Sequence, residues 1–239
     1  VLLAASPDHA DLLQLLGVLN FQQGNQADAV ALMQKSLALV PNQPRVHLNL
    51  GSAWSASGRE DEALASYERA IALKSDFAEA HYNQASVLHK LGRLDEALAG
   101  FQRAIRLKPD FTDAFLNQGN LLKDLRRFTD AEKSYRRALR CNPHEARAWN
   151  NLGLVLEQVG RPDEAIEGYR RAVAIDSRYG DAFANLGGLL RRLRRYGEAL
   201  EAYRAALRLG SDLRYIVGDY LHARQLTCDW TNLEAEIED

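Results

Sequence analysis

The sequence predicts an all-α fold, a right-handed superhelix (α-solenoid) of six helix-turn-helix repeats closed by a C-terminal capping helix. Three observations lead there. A 34-residue interval runs from Ala10 without insertion or deletion, dividing the chain into 10–43, 44–77, 78–111, 112–145, 146–179 and 180–213. Small residues return at fixed places within it: Gly17, Gly51, Ala85, Gly119, Gly153 and Gly187 at the eighth position, Ala29, Ala63, Ala97, Ala131, Ala165 and Ala199 at the twentieth, and Ser36, Ala70, Ala104, Ala138, Ala172 and Ala206 at the twenty-seventh. The twenty-fourth position is always large, as Met33, Tyr67, Phe101, Tyr135, Tyr169 and Tyr203. Small residues let two helices approach, and the large one fills the gap between hairpins. A single hairpin cannot bury its apolar stripe alone, so stacking builds one continuous core with nearest-neighbour stability.

Each hairpin follows the same rules. The first helix spans positions 1–14 and the second 17–31. In the fifth block, AWNNLGLVLEQVG sets Trp149, Leu152, Gly153 and Leu156 at helical spacing on one buried face, with Asn150 and Asn151 beside it. Gly160 then ends the helix. In GREDEA, GRLDEA and GRPDEA a glycine able to take positive φ precedes Asp61, Asp95 and Asp163, which stand ready to accept hydrogen bonds from the N–H groups opening the second helix. Blocks four and six place Arg126 and Arg194 at the glycine position, which predicts costlier or differently shaped turns there. Pro41, Pro109 and Pro143 fall where second helices end. Residues 1–9 are a lead-in. Residues 214–239 keep apolar helical spacing at Tyr215, Val217, Tyr220, Leu221 and Leu226, which predicts a capping helix, and a second helix starts near Thr231. The chain does not begin with Met, and VLLAAS is too short and lacks the basic flank of a signal peptide, so it reads as part of a longer protein.

The 34-residue pattern over residues 10–213 resembles the tetratricopeptide repeat family. That resemblance implies that the first helices line a concave surface and that positions 2, 5, 6, 9, 12 and 13 face its groove. The sixth position holds Asn49, Asn83, Asn117, Asn151 and Asn185; block one departs, with Leu15. Around them stand Ser52, Ser86 and Asn120 at the ninth position, Ser55, His89, Lys123, Glu157 and Arg191 at the twelfth, and alternating charges such as Glu79 and Arg147 at the second. A carboxamide offers an acceptor and two donors, so it pairs with the C=O and N–H of an extended peptide without reading its side chains. The competing reading has each asparagine bond the backbone of its own or the neighbouring helix and merely fix the superhelical pitch, and recurrence alone does not separate the two. An asparagine row at this position is similar to that of the N-terminal repeats of O-linked N-acetylglucosamine transferases, where it grips the acceptor polypeptide. The His222–Trp230 segment resembles the junction that leads into the catalytic domain of bacterial proteins of that kind and of the SPINDLY group. The sugar-nucleotide site and catalytic groups of such enzymes are absent from this sequence.

Composition narrows the alternatives. With 46% hydrophobic and 26% charged residues the chain reads as soluble and folded rather than disordered. No apolar run approaches the roughly 20 residues of a membrane span. Cys141 and Cys228 lie far apart without metal-ligand spacing, which favours free thiols and a cytoplasmic location. Residues 120–213 carry 18 basic against 13 acidic groups, whereas residues 1–119 carry 10 against 13. Arg126-Arg127 and the arginines of 191–195 fall at the ends of first helices, where the helix dipole favours cations. A net charge of −2, without a basic stripe interleaved with aromatics, argues against nucleic acid. His47 and His81 share the fourth position with Phe115, Trp149 and Phe183 and read as packing residues. His9, His89, His144 and His222 have no partner at ligand spacing, and no phosphate loop, nucleophile elbow or H-E-x-x-H motif occurs, so neither metal, cofactor nor catalysis is expected. Cys228 and Trp230 read as a buried cap.

The leading function is therefore a scaffold that binds an extended polypeptide as the recognition arm of a glycosyltransferase. Its candidate binding residues are Asn49, Asn83, Asn117, Asn151 and Asn185 with Asn120, Asn150, His89, Lys123 and Arg147. A carboxylate-clamp adaptor is the alternative; the fifth positions Gln14, Leu48, Tyr82, Leu116, Asn150 and Ala184 supply no lysine for it. A third reading is a homo-oligomerisation module that uses its outer helices.

Overall fold

The structure, a computed structural model, describes residues 9–210 and 213–227, and side chains to 210 and from 217. The expectations placed on the Tyr215 side chain, on Cys228 and Trp230 and on the helix near Thr231 lie outside what the structure describes. Every described element is a helix: α1 Ala10–Gln22, α2 Gln26–Leu39, α3 Pro44–Ala56, α4 Glu60–Leu73, α5 Ala78–Lys90, α6 Leu94–Leu107, α7 Thr112–Asp124, α8 Phe128–Cys141, α9 Ala146–Gln158, α10 Pro162–Ile175, α11 Gly180–Arg192, α12 Tyr196–Arg208 and α13 Leu213–Thr227. The chain divides into two compact units, Val1–Leu121 and Leu122–Asp239.

In the first unit α1, α3 and α5 each pair with the second helix of their own repeat, and α3 and α5 stack on the second helix before them. Val46, Leu50 and Ala53 of α3 bury against Ala29, Val30 and Met33 of α2. One repeat later Ala80 of α5 packs with Ala70 and Phe77. The second unit repeats the scheme from α8 to α12, and α13 packs on α12. In both units the twentieth and twenty-seventh positions are fully buried, and the large residue at the twenty-fourth is at most 2% exposed. The eighth position shows why small residues recur. A Cβ on Gly51 would stand 2.6 Å from the Tyr67 ring, and one on Gly153 2.7 Å from the Tyr169 ring. Buried Ser36 is satisfied by donating to the Ala10 carbonyl at 2.8 Å.

The turns hold one shape throughout. Gly24, Gly58, Gly92 and Gly160 have φ between 73° and 81°, while Arg126 and Arg194 take φ of 58° and 60°. The two arginine turns are therefore not shaped differently: the array imposes the left-handed conformation, and a side chain there costs about 1–2 kcal/mol. The expected aspartate caps are corrected. Arg59, Arg93, Arg127, Arg161 and Arg195 occupy the N-cap, and no side chain caps the helix. Asp61, Asp95 and Asp163 are the second residues of their helices, in the first turn, where they act through the helix dipole. Each N-cap arginine instead reaches forward three residues to a carboxylate, as in Arg93 to Glu96 at 2.7 Å and Arg127 to Asp130 at 2.8 Å.

In the second unit these pairs extend between repeats. Glu132 accepts from both Arg136 and Arg161 at 2.8 Å, and Glu164 accepts from Arg161 at 2.7 Å and Arg136 at 3.2 Å, closing a ring of four charges across α8 and α10. Burial pulls the Glu132 carboxyl up, but the two guanidiniums outweigh it and hold it below the ordinary carboxylate value. In α13, Tyr220, Ala223 and Arg224 are buried, and Arg224 donates to the Tyr220 hydroxyl at 2.9 Å. Leu226, expected on the apolar face, is instead 47% exposed.

Candidate functional site

The asparagines of the sixth position sit half-buried on the first helices. Their partners follow from what the preceding repeat offers. In the first unit, Asn117 of α7 donates to the Tyr82 hydroxyl of α5 at 2.9 Å. Asn83 finds Leu48 at the equivalent place on α3, which offers no polar atom, and donates to Ser52 one turn further along at 3.3 Å. Asn49 faces the repeat that lacks the row and makes no side-chain hydrogen bond among the described residues. In the second unit Asn185 of α11 donates to Asn150 of α9 at 2.9 Å, and Asn150 donates to Asn151 at 3.2 Å. Each bond between first helices uses one N–H of two and leaves carbonyl lone pairs at Asn83 and Asn185.

These contacts join side chains rather than the backbone bonds of the structural reading. They tie the first helices together and aim the amides at the same time. Asn150, expected in the groove, is 4% exposed and works as the acceptor that orients Asn185. Asn120 donates to Asn117 at 3.5 Å. His89 is half-buried near the end of α5. Lys123 lies 3.6 Å from Asp124, and exposed Arg147 is held by Glu145 at 2.8 Å.

In the first unit the row opens onto a cavity of about 460 Å³. Asn83 and Asn117 line it with Ser52, Ser55, Ser86, Tyr67 and Tyr82, over a floor of Ala56 and Val87. The charged group on its rim, Lys90, pairs with Glu60, which also accepts from Ser55 at 3.4 Å. Hydroxyls and amides therefore dominate the lining. Burial pushes the Tyr67 hydroxyl above its ordinary value against the opposing bond with Ser52, so it stays protonated and donates to Ser52 at 3.3 Å.

The second unit presents a more ionic face. Glu157 accepts from the Tyr169 hydroxyl and from Arg192, and Asp219 accepts from Arg191 at 3.1 Å and from Tyr203 at 3.2 Å. Burial raises Tyr169 strongly, and the Glu157 bond adds to it; Tyr203 is pushed up to about 12 by burial, which outweighs Arg191. Arg191, Arg192 and Arg195 are thereby spent on internal pairs, the last to Glu198 at 2.7 Å.

Sequence reasoning missed three devices. The N-cap arginines were legible as a column at the sixteenth position from the second block on, the first block having Asn25 there. Fourth-position donors hold the loop before their own helix: His47 lies 3.0 Å from the Pro41 carbonyl, His81 3.1 Å from that of Ser75, and Trp149 donates to that of Pro143 at 2.9 Å. The fifth-position acceptors Tyr82 and Asn150 carry no signal of their own, because that column is otherwise mixed. Among the described residues no group of three His, Cys, Asp or Glu side chains fits a metal ion, and no helix is long and apolar enough to cross a membrane.

A family model of the tetratricopeptide repeat matches residues 2–44, 45–110 and 116–180, and a second tetratricopeptide model matches 180–210. The chain belongs to the tetratricopeptide repeat family. Among solved structures it is similar to YrrB, described as a TPR protein with an unusual peptide-binding site, at 25% identity over 81% of this chain and 97% of that one, with a TM-score of 0.65. MamA is likewise 25% identical over 69% of this chain and 96% of its own, with a TM-score of 0.63. PilF of Pseudomonas aeruginosa, 19% identical over 90% and 96% of the two chains, shows the shared fold at a TM-score of 0.77. No match was found among curated proteins. The fold is that of a helical-repeat scaffold, a type typical of protein–protein interaction.

Proposed function

We propose that the chain is a protein-interaction scaffold that holds an extended polypeptide along the faces of its first helices, with the asparagine row gripping the peptide backbone. The observation that carries this reading is the cavity of the first unit, where Asn83 and Asn117, each braced by one bond to the preceding helix, line a surface of hydroxyls and amides. Bracing removes rotamer freedom before the ligand arrives, which favours binding. The likeness to YrrB supports a peptide as the ligand class. In this reading the chain supplies recognition and no chemistry. We further propose that it serves a glycosyltransferase resembling the O-linked N-acetylglucosamine transferases as the arm that presents the acceptor, a reading that rests on the asparagine column and the LHAR sequence of α13.

Fluorescence anisotropy with labelled extended peptides of mixed sequence tests the binding. Affinity that survives amidation of the peptide C-terminus supports a backbone-reading groove; its loss on amidation supports a carboxylate clamp instead. The transferase role fails if the full-length protein carries no glycosyltransferase domain.

A further inference from the structure

We propose that the first unit carries a second interaction site, separate from the asparagine row, that takes a polypeptide segment in which a carboxylate side chain stands next to a large apolar one. A cavity of about 580 Å³ opens between α2, α3 and α4 and shares no residue with the cavity of the row. Leu50 and Trp54 of α3 line it with Gln34 of α2 and with Ala65 and Arg69 of α4. Trp54 is the departure that shapes it. In the later repeats the eleventh position holds Leu88, Leu122, Leu156 and Leu190, each at most 6% exposed, whereas Trp54 is only half-buried against the core.

Two further exchanges leave this place open in the first unit. In the second unit the equivalent positions form a cavity of about 200 Å³, where Arg170 of α10 pairs with Glu198 of α12 at 2.8 Å. Gln34 stands at the place of Arg170 and makes no hydrogen bond among the described residues. Ala65 stands at the place of Glu167, which holds Arg171 at 2.8 Å, so Arg69 has no acid one turn before it. Exposed Arg69 gives Asn42 a single bond at 2.9 Å, one of the five N–H donors of a guanidinium. The other charges at the cavity cancel. Arg59, whose guanidinium carbon lies 4.3 Å from the centre of the Trp54 ring, pairs with Glu62, and His47, held below 6.5 by burial, is neutral at pH 7. One net positive charge beside an indole complements an acidic side chain next to an aromatic or long aliphatic one. Arginine holds carboxylates through paired hydrogen bonds, and Trp and Arg are among the side chains that most often anchor interfaces. The Gln34 amide offers its donors and acceptor to the peptide backbone.

Fluorescence anisotropy tests the proposal with a labelled peptide carrying Asp-Phe-Glu in a Gly/Ser frame, beside the same peptide carrying Asn-Phe-Gln or Asp-Gly-Glu. Saturable micromolar binding of the first is expected, with both replacements weaker by about tenfold or more. Trp54→Leu, which restores the leucine of the later repeats, and Arg69→Ala, at an exposed position, should each weaken it by about tenfold or more, roughly what the loss of one anchor costs. Asn83→Ala/Asn117→Ala, which disables the row, should keep both the binding and the preference for the acidic aromatic peptide, so failure of this site and failure of the row are read separately. Circular dichroism checks that the variants remain folded, and Arg69→Ala carries the test if Trp54→Leu unfolds. Absence of saturable binding overturns the proposal, as does equal affinity for the Asn-Phe-Gln peptide in the asparagine variant, or binding that Arg69→Ala leaves intact. Binding that emerges only once residues 1–8 are removed would also overturn it, by making that segment the occupant.

Discussion

Two neighbouring glycines on α11 should respond to the same substitution with opposite signs. At Gly187 an added methyl would lie 2.8 Å from both Cδ1 and Cε1 of Tyr203, about 0.7 Å inside the ~3.5 Å at which carbon atoms settle. The ring has little room to retreat. It is 1% exposed, and its hydroxyl is fixed to Asp219, which Arg191 holds in turn. Overpacking of this kind costs about 1–3 kcal/mol, and the better helix propensity of alanine returns up to about 1 kcal/mol, so Gly187→Ala should destabilise by about 1–2 kcal/mol. At Gly188 the nearest atoms, Arg192 Nη1 at 3.6 Å and the Tyr203 hydroxyl at 3.8 Å, are at ordinary contact distance. Only the propensity gain remains, and Gly188→Ala should stabilise by about 0.5–1 kcal/mol. Thermal unfolding reads the first as a fall of roughly 2–8 °C and the second as a rise of roughly 1–4 °C. Hydrogen exchange of α11 places the change. Shifts of the same sign, or stabilisation by Gly187→Ala, would refute the close-packing argument for the eighth position.

Other outcomes follow from the turns, the charge ring and a loop histidine. Arg126→Gly removes the left-handed strain of an exposed residue and, after the entropy cost of glycine in the unfolded chain, should raise stability by about 0.5–1 kcal/mol in thermal melts; Arg194→Gly should behave alike. Glu132→Gln breaks two arginine contacts of a side chain only 15% exposed and should cost about 1 kcal/mol at pH 7. Because the folded carboxyl titrates below its ordinary value of 4.5, that contribution is complete above 4.5 and is lost as pH falls through the folded value, so melts at pH 7 and pH 3 should differ for wild type and converge between wild type and variant. Burial lowers the His47 pKa below 6.5 against the opposing Pro41 carbonyl, with Arg69 adding to the fall. Its ring signal in NMR should titrate below 6.5, and its stabilising contribution should be full above that value and lost as pH falls through the folded one.

The fold was legible because steric demands repeat. Gly51, Gly153 and Gly187 are small for one reason, the tyrosine ring above each, and any residue that repeats a contact repeats a letter. Of the two outcomes expected for the turn at Arg126, costlier or differently shaped, the structure has the first: the packing of helices on either side keeps the shape, and the strain stays. Asp61, Asp95 and Asp163 fit a capping pattern in sequence, yet the cap fell two residues earlier, on arginines whose long side chains satisfy a carboxylate instead of the backbone. The site was legible only by column. That each asparagine takes the same place in its own first helix follows from the period, but whether Asn83 reaches Ser52 or a fifth-position group depends on Leu48, a residue of another repeat. Asn150 shows the same limit, since its burial comes from its neighbours and not from its place beside Asn151.

The most direct test titrates labelled extended peptides against wild type, Asn49→Ala and Asn49→Ala/Asn83→Ala/Asn117→Ala, with melts of all three. Asn49 has no internal hydrogen bond among the described residues, so its loss should leave the melting temperature within about 1 °C while weakening binding several-fold, about the 1 kcal/mol of one hydrogen bond. The triple variant should lose most binding, with a fall of a few degrees from the two inter-helix bonds, about 1 kcal/mol each. Unchanged affinity in both variants, with the stability of the triple variant reduced, would make the row a strut between helices and contradict the binding account.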